Sequence, residues 1–123
     1  MKSNISKEEF FYQRMEKRFM REKGLTIQQA LWQTNQLAHL LHYIQTQKAY
    51  IVYQQSDSTL HWVIGTLVYY PITFNKCFNL LSIRGTVPYW DVRKRRWCTF
   101  KVENFLFWAP LNNPYCLEQS LLN

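Results

Sequence analysis

Acidic side chains are scarce in this chain: eight, against fifteen lysines and arginines in 123 residues. So few carboxylates leave little for general acid–base chemistry, and no paired-carboxylate motif is present. Glycine occurs three times, at Gly24, Gly65 and Gly85. That spacing excludes a Gly-rich phosphate loop, and no Ser nucleophile elbow appears. The three cysteines, Cys77, Cys98 and Cys116, are an odd number, widely spaced and without a CxxC. They are expected to be buried free thiols in a reducing cytosol, with at most one bridge. His39 and His42 stand three apart, with His61 elsewhere, and lack the tight spacing of CxxC or HExxH sites. Packing or surface roles are therefore expected for them, and no metal or other cofactor is assigned. No apolar run approaches the roughly 20 residues of a membrane span. The N-terminal stretch carries acids and has no apolar h-region, so no secretory signal is expected there.

What is present is aromatic and basic. The chain is 47% hydrophobic and 17% aromatic, enough for one core and too short for two ordinary domains. Its net charge of +7 favours a polyanionic partner, either nucleic acid or an acidic protein surface.

Residues 1–46 read as helical. Ser6 and Glu9 have capping-box spacing, and Phe11, Tyr12, Met15 and Phe19 then recur on one face up to Lys23. Lys7, Arg14, Lys17, Arg18 and Arg21 are assigned to roughly the opposite face, a second basic surface interleaved with Glu8, Glu9, Glu16 and Glu22. Gly24 is placed to stop this helix. Thr26 and Gln29 repeat the capping signal, and Ile27, Ala30, Leu31, Leu37, Leu41 and Ile44 carry a second helix to about Gln45. Thr34 and Asn35 are expected to weaken it into two pieces.

Residues 47–108 change to strand-like alternation. Residues 49–53 form a first strand, 56–58 a turn, and 60–70 a long strand with a bulge or bend at Gly65, ended by Pro71. Residues 72–85 are open between a short helix bearing Phe74, Phe78 and Leu81 and a strand over 80–83. Two apolar-aromatic runs, 87–92 and 97–102, then flank Arg93, Lys94, Arg95 and Arg96, which reads as a hairpin with a cationic turn. Residues 109–123 are a tail or short docking helix, with Pro110, Asn112, Asn113 and Pro114 breaking regular structure and 115–122 as the helical candidate.

Four like charges in one turn repel one another, and a phosphate backbone relieves that repulsion by releasing its counterions. Trp90, Trp97 and Tyr89 beside the turn offer stacking faces for exposed bases, and Lys101 and Arg84 extend the basic track. The plain alternative is a solvated turn over core aromatics. Asp91 is read as capping the turn or anchoring an arginine rather than acting as a base. Cys98 has cationic neighbours, Arg96 and Lys101, that favour a thiolate, but no histidine close in sequence to pair with.

The segment from about Lys48 to Leu106 resembles the WYL-type Sm-like SH3 β-barrel family. Its match rests on Gly65-Thr66, on Tyr89-Trp90-Asp91-Val92, on Trp97, and on Thr99 to Leu106, TFKVENFL. Family members often have a glycine-containing turn where this chain has Arg93 to Arg96, and a basic residue where it has Cys98. The resemblance implies a small barrel with no catalytic residue to carry over, and an origin among bacteria, their mobile elements and phages. Sm-like relatives often bind RNA, an analogy of fold only.

These readings combine into one expectation. The fold is α+β, with N-terminal helices packed on a small SH3/Sm-like antiparallel β-barrel of five or six strands in one compact domain. The function is non-catalytic binding of nucleic acid, or regulation, in the cytoplasm of a bacterial or phage-infected cell. The alternatives are a phage-encoded module that inhibits a host or defence protein, and a structural homo-oligomer.

Overall fold

The computed structural model describes residues 6–111. Helix α1 (Lys7–Lys23) begins where the Ser6 hydroxyl accepts from the Glu9 amide, and ends at Gly24, whose φ of +65° is left-handed. Helix α2 (Ile27–Tyr43) opens with a reciprocal capping box between Thr26 and Gln29. It runs unbroken through Thr34 and Asn35, because Thr34 is itself buried in the helix interface. Phe11, Met15 and Phe19 are buried from α1, each contributing about 1.5–3 kcal/mol of apolar burial. From α2 come Ala30, Leu37 and Leu41, with Ile44 at its C-terminus. Ile27 and Leu31 are exposed instead, since they lie in the first turns at the edge of the buried stripe.

Five antiparallel strands follow: β1 (Ala49–Gln54), β2 (Leu60–Thr66), β3 (Thr86–Asp91), β4 (Arg96–Lys101) and β5 (Phe105–Pro110), ordered β4-β3-β2-β1-β5. The expected α+β architecture of helices on a small antiparallel barrel is what the chain adopts. The long strand expected over 60–70 is shorter. At Leu67 the amide leaves the ladder and donates to the Ile44 carbonyl (2.7 Å), while the Thr66 hydroxyl donates to the Gln47 carbonyl (2.8 Å). Pro71 then sits in the first turn of a short helix α3 (Tyr70–Phe74) rather than ending a strand. Neither alternative for 72–85 is realised: Asn75 closes α3 with φ +55°, and a 3-10 turn forms at Leu80–Ser82, capped by the Asn79 side chain. The last strand reaches Pro110, two residues past the expected barrel boundary, and pairs with Ala49 there. The candidate helix over 115–122 lies outside the described residues.

No bulge occurs at Gly65, which pairs in regular register with Ala49 and Asp91. Its missing side chain has another cause. A Cβ there would stand 2.8 Å from Ile51 Cδ1 and 3.0 Å from Tyr89 Cδ2, so glycine lets the β3–β4 hairpin close onto β1. Inside that closure the Tyr53 and Tyr89 hydroxyls bond at 2.8 Å, Tyr53 stacks on Phe100 (5.1 Å), and Phe100 stacks on Phe105 (6.2 Å). The register shift in the sheet falls instead between Val52 and Tyr53, where β1 meets β5.

Candidate functional site

One row of paired residues crosses the sheet: Pro110, Ala49, Gly65, Asp91 and Arg96. It ends β5, begins β1, ends β3 and begins β4, so the β3–β4 turn and the residue preceding β1 come to the same part of the molecule. The turn is formed by residues 92–95 and Arg96 opens β4. Asp91 builds it. One carboxylate oxygen accepts from the amides of Arg93 (3.0 Å) and Lys94 (2.9 Å), and the Asp91 carbonyl accepts from the Arg95 amide (2.7 Å). Arg95 takes φ +58°, the left-handed conformation that glycine adopts without strain.

The nearest acid is therefore spent on backbone N–H groups. The side chains of Arg93, Lys94, Arg95 and Arg96 are all exposed. Among the described residues the ion pairs are Arg18–Glu103 and Arg21–Glu22, and neither involves the turn.

Below the turn the outer face of the hairpin is aromatic. Trp90 and Trp97 face each other across the strands at 5.7 Å and 75°, both half-buried. Helix α3 and its flanks cover them: Tyr69 meets Trp90 at 5.7 Å, and Phe74 meets Trp97 at 5.1 Å. A hollow of about 490 Å³ opens between the two, lined by Lys48, Tyr69, Ile72, Thr73, Trp90, Val92 and Arg95. Both of its charged residues are cations. A larger hollow of about 620 Å³ lies between the helices and β5, but its charged walls, Lys23 and Glu103, are of opposite sign. With one charge of each sign in its lining, that hollow has no net preference for anions.

The expected basic track does not hold together as one surface. Lys101 pairs with Thr86 at the far end of the hairpin, five strand residues from Arg96 and so roughly 17 Å away; Arg84 is exposed just before that end. In α1 the expected cationic face divides. Arg14 turns inward and donates to the carbonyls of Leu81 (2.9 Å) and Ile83 (3.0 Å). Arg18 donates to Glu103 at 2.7 Å, because it falls seven residues after Phe11 and so on nearly the same side of the helix. Arg21 meets Glu22, while Lys7 and Lys17 face solvent. Tyr89 offers no stacking face, being 1% exposed. Burial and its hydrogen bond with the Tyr53 hydroxyl push its phenol well above the usual range.

Lys48, Tyr69, Ile72 and Thr73 belong to the site without having been singled out from the sequence. The signal for Lys48 is its place directly before the first strand, but the register that carries it to Asp91 runs through two intervening pairings. Of the thiols, Cys77 is exposed and Cys98 half-buried, contrary to the expected burial; each follows or sits in surface structure, Cys77 just past α3 and Cys98 on an edge strand. Cys116 lies outside the described residues. Among the described residues no cluster of three or more histidine, cysteine or acidic side chains is placed to hold a metal ion. Nor is any helix among them long and apolar enough to cross a membrane.

A family model described as WYL_2, Sm-like SH3 beta-barrel fold, matches residues 37–106, which is more than half of the chain. The match begins within α2 and ends in β5, leaving α1 outside it. No curated protein and no solved structure matches the chain.

Proposed function

The chain belongs to the WYL_2, Sm-like SH3 β-barrel family, and on that premise we propose that it is a non-catalytic nucleic-acid-binding protein contacting phosphate through the β3–β4 turn. One observation carries the reading. Four consecutive cations are exposed on a turn whose single carboxylate is bonded to backbone amides, and among the described ion pairs none involves them. Lys48 adds a fifth cation beside them. A cytoplasmic role in a bacterial or phage-infected cell goes with this reading and rests on the family resemblance alone.

Fluorescence anisotropy with single- and double-stranded oligonucleotides tests it. Replacing Arg93, Lys94, Arg95 and Arg96 by Ala should lower the slope of log K against log salt by about 3 for a single strand, at about 0.7 per phosphate contact. Affinity near 0.1 M salt should fall on the order of a hundredfold or more. An unchanged slope rejects the turn as the contact.

A second reading, self-association, is favoured by a different surface. On the outer face of β2, β1 and β5, Leu60, Trp62 and Phe107 are 56%, 62% and 44% exposed. The rings of Trp62 and Phe107 meet edge to face at 5.4 Å over the buried Val52, with which both pair. That face bears no charge, so two copies of a chain of net charge +7 meet there without like charges in contact. Light scattering at rising concentration decides: a second copy appears and is lost in Trp62→Ser, or the protein stays monomeric and this reading fails.

A further inference from the structure

The hollow at the foot of the turn has a chemistry that phosphate contact alone does not require. Tyr69 and Trp90 stand 73° apart with centroids at 5.7 Å, forming a corner with one aromatic wall roughly upright to the other. Tyr69 is 42% exposed, and Ile72, at 86% exposed, extends the apolar wall. Lys48 and Arg95 stand at the same hollow, and no acid lines it. The hydroxyl of Thr73 is turned away, donating to the Tyr69 carbonyl at 2.8 Å. At about 490 Å³ the space is within the range of small-ligand pockets, roughly 300–1,000 Å³.

We propose that this corner receives one unpaired base of a single strand, stacked on Tyr69 or Trp90, while Lys48 and Arg95 hold the phosphates on either side of it. The inference rests on the nucleic-acid reading of the turn and sharpens it to single-stranded substrate. A planar π-face with cations beside it fits a nucleotide, a flat aromatic ring joined to a phosphate, better than a sulfated sugar, whose ring is puckered, or the carboxylates of an acidic peptide, which carry no ring. Bases in a duplex have their faces covered by neighbours, so they cannot enter the corner without unstacking. Stacking of this kind tolerates any base, because every base has a π-face. Both charged groups at the rim are donors only, so any preference among bases would favour carbonyl-rich edges.

The test compares three probes of equal length: a mixed-sequence single strand, its duplex, and a strand of abasic units that keeps the phosphates. The intact single strand should bind about tenfold tighter than the abasic strand, and tighter than the duplex. Tyr69→Ala should narrow that gap by weakening the intact strand more than the abasic one. Trp90→Leu provides a second variant, checked for folding by its urea midpoint. Replacing the four turn cations by Ala should instead weaken the intact and abasic strands together. Equal binding of intact and abasic strands by the unaltered protein would overturn the base corner and leave the phosphate reading standing. Binding of none of the three probes would remove both.

Discussion

Replacing Gly65 by alanine tests how the barrel closes behind the cationic turn. A Cβ at this position would lie 2.8 Å from Ile51 Cδ1 and 3.0 Å from Tyr89 Cδ2, whereas carbon atoms pack best at about 3.5–4.0 Å. Ile51 Cδ1 ends a flexible side chain, but Ile51 is fully buried and Tyr89 is tethered to Tyr53 through its hydroxyl, so moving either disturbs the core. Gly65 does not have a positive φ, so alanine is conformationally allowed and should gain about 0.4–1 kcal/mol by restricting the unfolded chain. Overpacking of this kind costs about 1–3 kcal/mol. The clash outweighs the entropy, and the net loss should be about 1–2 kcal/mol. Ile51→Val removes the closer of the two atoms, and alone it should cost about 0.5–1.5 kcal/mol. The two changes should not add: the double variant should recover about 1 kcal/mol of their summed loss. Urea unfolding reads this as a change of midpoint at constant slope. A neutral or stabilising Gly65→Ala, or strict additivity with Ile51→Val, would refute the close-approach account of this glycine.

Two further expectations follow from the site and its support. Arg95→Gly should move stability and binding in opposite directions: relief of the left-handed φ should stabilise by about 1 kcal/mol, while loss of one phosphate contact should reduce the single-strand salt slope by about 0.7. Unchanged stability in urea would contradict the strain at Arg95. For Glu103, burial opposes ionisation, but the hydrogen bond and charge of Arg18, with help from Lys101, outweigh it and hold the carboxyl below its ordinary value. Because the folded value is the lower one, the stabilisation is complete above the unfolded value of about 4.3 and is lost as pH falls through the folded value. Glu103→Gln should therefore cost about 1–2 kcal/mol at pH 7, and the gap to the unaltered protein should narrow below about pH 4. A gap that stays constant down to pH 3 would show that the Arg18 contact is not what the substitution removes.

The parts legible in the sequence are those fixed by local chemistry. Ser6, Gly24 and Thr26 mark helix ends because caps and left-handed stops act within four residues. The hairpin and the capping role of Asp91 were equally local. What failed depended on distant partners. Val68, Tyr69 and Tyr70 continue the apolar pattern of β2, and the Ile44 carbonyl taking the Leu67 amide, with the Thr66 hydroxyl on the Gln47 carbonyl, turns the chain away. Arg14 and Arg18 look like members of a solvated face until the carbonyls of Leu81 and Ile83 and the carboxylate of Glu103 are brought to them. Tyr89 sits beside the cations in sequence, yet strand alternation points it inward while its neighbour Trp90 points out. The hollow was beyond reach for the same reason, since Lys48 comes to Arg95 through cross-sheet register and Tyr69 through the chain reversal after Thr66.

That division also bears on why the turn stays charged. Four of the eight acids, Glu8, Glu9, Glu16 and Glu22, are in α1. This helix packs against the 3-10 turn at Val102–Asn104, directly after Lys101 at the far end of the hairpin from Arg93 to Arg96. Five strand residues separate the two ends, roughly 17 Å, against a screening length of about 8 Å at physiological salt. Glu103, which Arg18 holds at that far end, therefore lies too far along the hairpin to offset the field at its turn. The acid that stands at the turn itself is Asp91, bonded to two of its amides. Net charge alone would be a weak argument for a polyanionic partner; four cations against one carboxylate at one end of a hairpin, next to an aromatic corner, is a stronger one.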